Sequence, residues 1–120
     1  MRPKPVYDGY TLKLPNAAGE LEDVGCITCP SNAGRLVELK AFLYKDDEGL
    51  VSVRLERKQR GSTCGYWVAY KRRNGKLHKA YVCEAYLLDP YNLDIAAARV
   101  LIDGYWIGPR PNTWLNLQLP

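Results

Sequence analysis

The chain has 120 residues and a mass of 13.6 kDa, enough for one domain and too short for a barrel of eight strands and eight helices. Apolar residues make up 47% and charged residues 25%, a globular composition that excludes a disordered tail. The net charge of +4 is unevenly spread: from Arg54 to Lys79 nine bases (Arg54, Arg57, Lys58, Arg60, Lys71, Arg72, Arg73, Lys76 and Lys79) meet one acid, Glu56, so this window carries +8 and the remainder −4.

Met1 to Pro5 is not followed by an apolar stretch, and the longest mostly apolar run, Ile95 to Ile102, is broken by Arg99. The expectation is a cytoplasmic protein with neither signal peptide nor transmembrane helix. Residues 1–48 read as an irregular N-terminal extension, with one hairpin pairing Tyr10 to Leu14 with Val24 to Thr28. Ser31 is placed to cap a short helix through Leu36, Val37, Leu39, Phe42 and Leu43. The same stretch also reads as a strand entering the turn at Asp46 to Gly49.

Residues 50–103 form the expected core. Val51, Val53 and Leu55 alternate with Ser52, Arg54 and Glu56, the period of a half-buried strand. Tyr66 to Arg73 and Lys76 to Val82 flank Asn74-Gly75, a pair that tolerates the positive φ of a type I′ hairpin turn. Asn92 is placed to cap a helix through Leu93, Ile95, Ala96, Ala97, Val100 and Leu101, with Gly104 ending it. Residues 104–120 read as an apolar tail ending in a strand-like alternation, Trp114 to Leu119. The expected fold is α+β: a three-stranded antiparallel sheet on one C-terminal helix.

With Arg73 opposite Lys76, one face of the hairpin carries Trp67, Ala69, Ala80 and Val82, small enough at the alanines for the helix to lie close. The other carries Tyr66, Val68, Tyr70 and Arg72 opposite Cys83, Tyr81, Lys79 and Leu77, joined by Ser52, Arg54, Glu56 and Lys58. Tyrosines interleaved with Arg and Lys suit a polyanion, because the cations pair with phosphate and a ribbon of strands fits the major groove of DNA. The competing expectation is that residues 1–45 cover these tyrosines as a second core layer.

The stretch from Tyr66 through Asn74-Gly75 to Val82, followed by the helix at Leu93, resembles the small DNA-binding domain of three strands and a helix at the N-terminus of tyrosine-recombinase integrases and in short bacterial mobile-element proteins. The resemblance covers about residues 50 to 103 and implies a sheet that lies in the major groove. It implies DNA contacts from Arg54, Tyr70, Arg72, Lys79 and Tyr81, with Arg73 and Lys76 at the tip. No recombinase catalytic domain follows, so an accessory binder rather than a strand-cutting enzyme is implied.

The expected function is therefore non-catalytic binding of duplex DNA through Arg54, Lys58, Tyr70, Lys71, Arg72, Arg73, Lys76, Lys79 and Tyr81. RNA is the second nucleic acid, since exposed tyrosines on a sheet stack single-stranded bases. An alternative is a protein-interaction subunit docking on an acidic partner, with the tail from Tyr105 to Leu119 adding a strand to it. His78 is the sole histidine and lies far from Cys64 and Cys83 in this register, so no nucleophile–base pair and no cofactor are expected. Cys26-Ile27-Thr28-Cys29 has zinc-knuckle spacing, and Cys64 with Cys83 could complete four thiolates. The second C-x-x-C usual in zinc ribbons is missing, and four reduced thiols are the plainer expectation.

Overall fold

A computed structural model of the chain describes residues 3–47, 49–57 and 65–102. It contains β1 (Val6–Tyr7), β2 (Leu12–Pro15), β3 (Leu21–Gly25), α1 (Pro30–Leu39), β4 (Ala41–Asp46), β5 (Gly49–Arg57), β6 (Gly65–Arg73), β7 (Lys76–Glu84) and α2 (Pro90–Leu101). The strands form one seven-stranded sheet in the order β3-β2-β1-β4-β5-β6-β7. Among the described strands only β1 and β4 pair in parallel, and the other pairings are antiparallel.

This corrects the expected three-stranded sheet with one helix. The meander β5-β6-β7 and α2 are present, but residues 1–48 are not an irregular extension. They supply four more strands and a helix to the same sheet and core. The expected hairpin is present with displaced strands as β2–β3, Leu12–Pro15 against Leu21–Gly25 in place of Tyr10–Leu14 against Val24–Thr28, and these strands are too short to show a clear period. The stretch after Ser31 resolves as both expected forms in succession, a helix to Leu39 and then a strand from Ala41. Between them Lys40 adopts a left-handed conformation (φ 68°), and its N–H donates to the Leu36 carbonyl at 2.7 Å.

Both helices start earlier than expected, because a proline suits a first turn that needs no N–H donor there. Cys29, not Ser31, is the N-cap of α1, ahead of Pro30. Asp89, not Asn92, caps α2 ahead of Pro90, and its carboxylate accepts from the Asn92 N–H at 2.8 Å. Gly104 and Trp114 to Leu119 lie outside the described residues.

One face of the sheet holds the core. Strand alternation sends Tyr7, Leu12, Phe42, Tyr44, Val51, Val53, Trp67, Ala69 and Ala80 to it, where Leu36 of α1 and Leu93, Ala96, Ala97 and Val100 of α2 cover them. Trp67 lies at the centre, fully buried, its ring edge-on to Phe42 with centroids 5.2 Å apart. Its indole N–H donates to the Ala85 carbonyl at 2.9 Å, so burial costs no unpaired donor. The Tyr44 hydroxyl bonds the Asp94 carboxylate and ties α2 to β4. Gly65 lets β5 and β6 approach: a Cβ there would lie 2.6 Å from the Glu56 carbonyl oxygen.

The hairpin turn matches expectation, with Asn74 at φ 52° and Gly75 at φ 78°. The register runs from Arg73↔Lys76 to Val68↔Tyr81, then shifts by one residue at a bulge, so that Trp67 pairs with Cys83 and Tyr66 with Glu84. This moves Cys83 off the tyrosine face, where an unbroken register placed it, and into the core beneath α2. A single extra residue reverses the facing of everything beyond it.

Candidate nucleic-acid interface

The opposite face of the sheet carries the tyrosines and cations. Its side chains fall in rows across the strands. One row is Ala41–Arg54–Val68–Tyr81, and the next toward the hairpin turn is Leu43–Ser52–Tyr70–Lys79. Arg72 and Leu77 follow, and Glu56, Tyr66 and Glu84 lie at the other end. Among the described residues neither helix covers this face, and residues 3–45 widen the sheet rather than forming a second layer over the tyrosines.

Tyr70 is the centre of the arrangement. The Arg54 guanidinium lies 5.9 Å and the Lys79 ammonium 5.4 Å from its ring centroid, within cation–π range on two neighbouring strands. An open depression of about 510 Å³ adjoins it, lined by Leu50, Ser52, Arg54, Tyr70, Arg72 and Leu77. The buried Val68 lies between its cross-strand partners Arg54 and Tyr81, so the long side chains here rest on an apolar floor.

Tyr66 and Tyr81 form a second aromatic pair with centroids 5.8 Å apart. Their hydroxyls donate to Glu56 (3.5 Å) and Glu84 (3.1 Å). Burial, then the hydrogen bond and charge of Glu84, push the Tyr81 hydroxyl up to about 12, so it remains a donor at neutral pH. The face is thus charge-polarised: cations gather toward the hairpin turn and carboxylates lie beyond Val68. Sequence reading placed Glu56 on this face but not Glu84, which reaches it only through the bulge.

The expected binding residues divide. Arg54, Tyr70, Arg72, Lys79 and Tyr81 share the open face, and Lys76 is exposed at the turn. Lys71 donates to the Leu50 carbonyl at 2.9 Å, at the rim of the depression. Arg73 is engaged elsewhere: its Nε donates at 2.6 Å to the Val100 carbonyl in the last turn of α2. A cation suits that carbonyl end, so Arg73 joins helix to hairpin. Lys58, Cys64 and the segment Tyr105 to Leu119 lie outside the described residues.

Seven strands spaced about 4.8 Å apart make a sheet roughly 29 Å across, against about 12 Å for the major groove of DNA. Among the described residues the tyrosine strands are continuous with this wide sheet on the β4 side, and β7 is its other edge. No helix among the described residues is long and apolar enough to cross a membrane. No family model, curated protein or solved structure matches the chain, so the resemblance to integrase N-terminal domains rests on its quoted residues alone.

Proposed function

We propose that the chain is a non-catalytic nucleic-acid-binding protein that lays a single strand across the open face of β5, β6 and β7. The observation that carries this is Tyr70 between Arg54 and Lys79 on a cation-rich sheet face that no described element covers. A base stacks on the exposed part of the Tyr70 ring, while Arg54, Arg72 and Lys79 neutralise the flanking phosphates. Tyr66 and Tyr81 extend the aromatic platform toward the Glu56 and Glu84 end, where carboxylates discourage further phosphate. A sheet several strands wide suits splayed bases better than the narrow major groove of a closed duplex.

The test is fluorescence anisotropy with a single-stranded DNA oligonucleotide, the same sequence as RNA, and the duplex, at two salt concentrations. Single strands are expected to bind more tightly than duplex, with affinity falling as salt rises. Arg54→Ala and Lys79→Ala together should lower the salt slope by about 1.4, two single-strand phosphate contacts at about 0.7 each. Tighter duplex binding would overturn the strand preference and restore the DNA-groove reading. No binding to any of the three at low salt would overturn the function itself.

A further inference from the structure

We propose that Cys26 and Cys29 are a redox-active pair, cycling between disulfide and dithiol by exchange with small thiols, independently of the nucleic-acid face. The two are joined as a disulfide between residues three apart in sequence, with Cα atoms 5.8 Å apart. Loop-closure stabilisation grows with loop length, so a bond closing so short a loop contributes little to holding the fold together. The turn has other supports. Ile27 is fully buried between the two cysteines. The buried Asn32 side chain donates to the Val24 and Cys26 carbonyls at 3.1 and 2.8 Å. These contacts do not involve sulfur, so they hold the two cysteines opposite each other after the bond opens.

The two sulfurs occupy different surroundings. Cys26 is exposed, and the Thr28 hydroxyl donates to its Sγ at 3.7 Å. Cys29 is the N-cap of α1, its side chain caps nothing, and the first turn of the helix carries no acid. A sulfur released there as thiolate faces the N-terminal N–H groups, as an anionic cap does. Attack is therefore directed: an external thiolate adds to the exposed Cys26 Sγ, the Cys26–Cys29 bond breaks, and its electron pair leaves on Cys29 Sγ. A second thiol then attacks the external sulfur of the mixed disulfide, releasing the oxidised small-molecule disulfide and Cys26 as thiolate. Two protons restore both thiols, so two small thiols are oxidised for each protein disulfide reduced; oxidation of the pair is the reverse.

Cys83 provides an internal contrast. It is buried, and that burial, then the charges of Asp89 and Glu84, push its thiol up to about 12, so it is unreactive near neutrality. Among the described residues no three metal-ligating side chains gather, and Cys83 lies in the core beneath α2.

The experiment uses the full chain carrying Cys64→Ser, equilibrated in glutathione buffers, acid-quenched and labelled with a mass-tagged maleimide. Cys26 and Cys29 are expected to gain two labels together as the buffer becomes reducing, with the circular dichroism of the native fold retained. In the same background Cys29→Ser should trap glutathione on Cys26, and Cys26→Ser should form at least about tenfold less adduct on Cys29. Loss of the fold on reduction would overturn the proposal by making the bond structural. So would failure of reduced protein to form the bond with oxidised glutathione, equal trapping at both sulfurs, or stoichiometric zinc on the reduced pair.

Discussion

The two faces of β5-β6-β7 are built from the same strands yet obey different rules. On the helix side Val53, Trp67, Ala69 and Ala80 are packed against α2, and their shapes determine one another. On the open side Tyr70, Arg54 and Lys79 form a loose cluster that the described fold does not cover. The strand period supplies both faces, but only one of them is consumed in making the core. The difference shows how a small domain separates stability from recognition: residues one position apart can carry unrelated tasks.

Replacing Trp67 by Ala should break the comparison most severely, costing about 3–5 kcal/mol through lost burial and a cavity under α2, as read by urea unfolding. Tyr70→Ala, three positions along the same strand, should leave the urea midpoint within experimental spread while weakening single-strand binding by about 1–3 kcal/mol. A stability loss from Tyr70→Ala comparable to that from Trp67→Ala would show the open face to be core.

A pH titration sharpens the same contrast at Cys83, which the bulge assigns to the helix side. Its folded thiol titrates near 12, above the reference value of 9.0, so the neutral form is favoured in the folded chain. That contribution is complete below about 9 and is lost as pH rises toward 12. By pH 10 it should lower the folding equilibrium constant about tenfold relative to Cys83→Ala, each referenced to its own value at pH 7. Parallel alkaline profiles for the two proteins would place the thiol outside the core.

The smallest effect distinguishes neighbouring arginines. Arg73→Ala should cost about 1 kcal/mol by removing the bond to the Val100 carbonyl, with little change in the salt slope of binding. Arg72→Ala should do the opposite, leaving unfolding unchanged and reducing the slope by about 0.7.

Much of this contrast was legible in the residues. The alternation around Val51 to Leu55, the Asn74-Gly75 turn and the basic, tyrosine-rich window placed Arg54, Tyr70, Arg72, Lys79 and Tyr81 on one face. That the N-terminal strands join the same sheet was not legible, because β1 has two residues and β2 four, too few for a period to emerge. Such strands are held by their neighbours in the sheet, and β1 pairs with β4 across an intervening hairpin and helix. Arg73 resembled Arg72 in sequence, and only the carbonyl end of α2 distinguishes them.

Local sequence alone sets the strand period, the positive-φ turn and the concentration of cations between Arg54 and Lys79. Long-range packing sets the seven-stranded order of the described sheet, the place of Cys83 in the core, the bond from Arg73 to α2, and the turn of Cys26 and Cys29 clamped by Asn32. Local features depend on backbone preferences that neighbouring residues encode. The others depend on which distant segment lies alongside, and that is settled by burying one continuous apolar face under two helices.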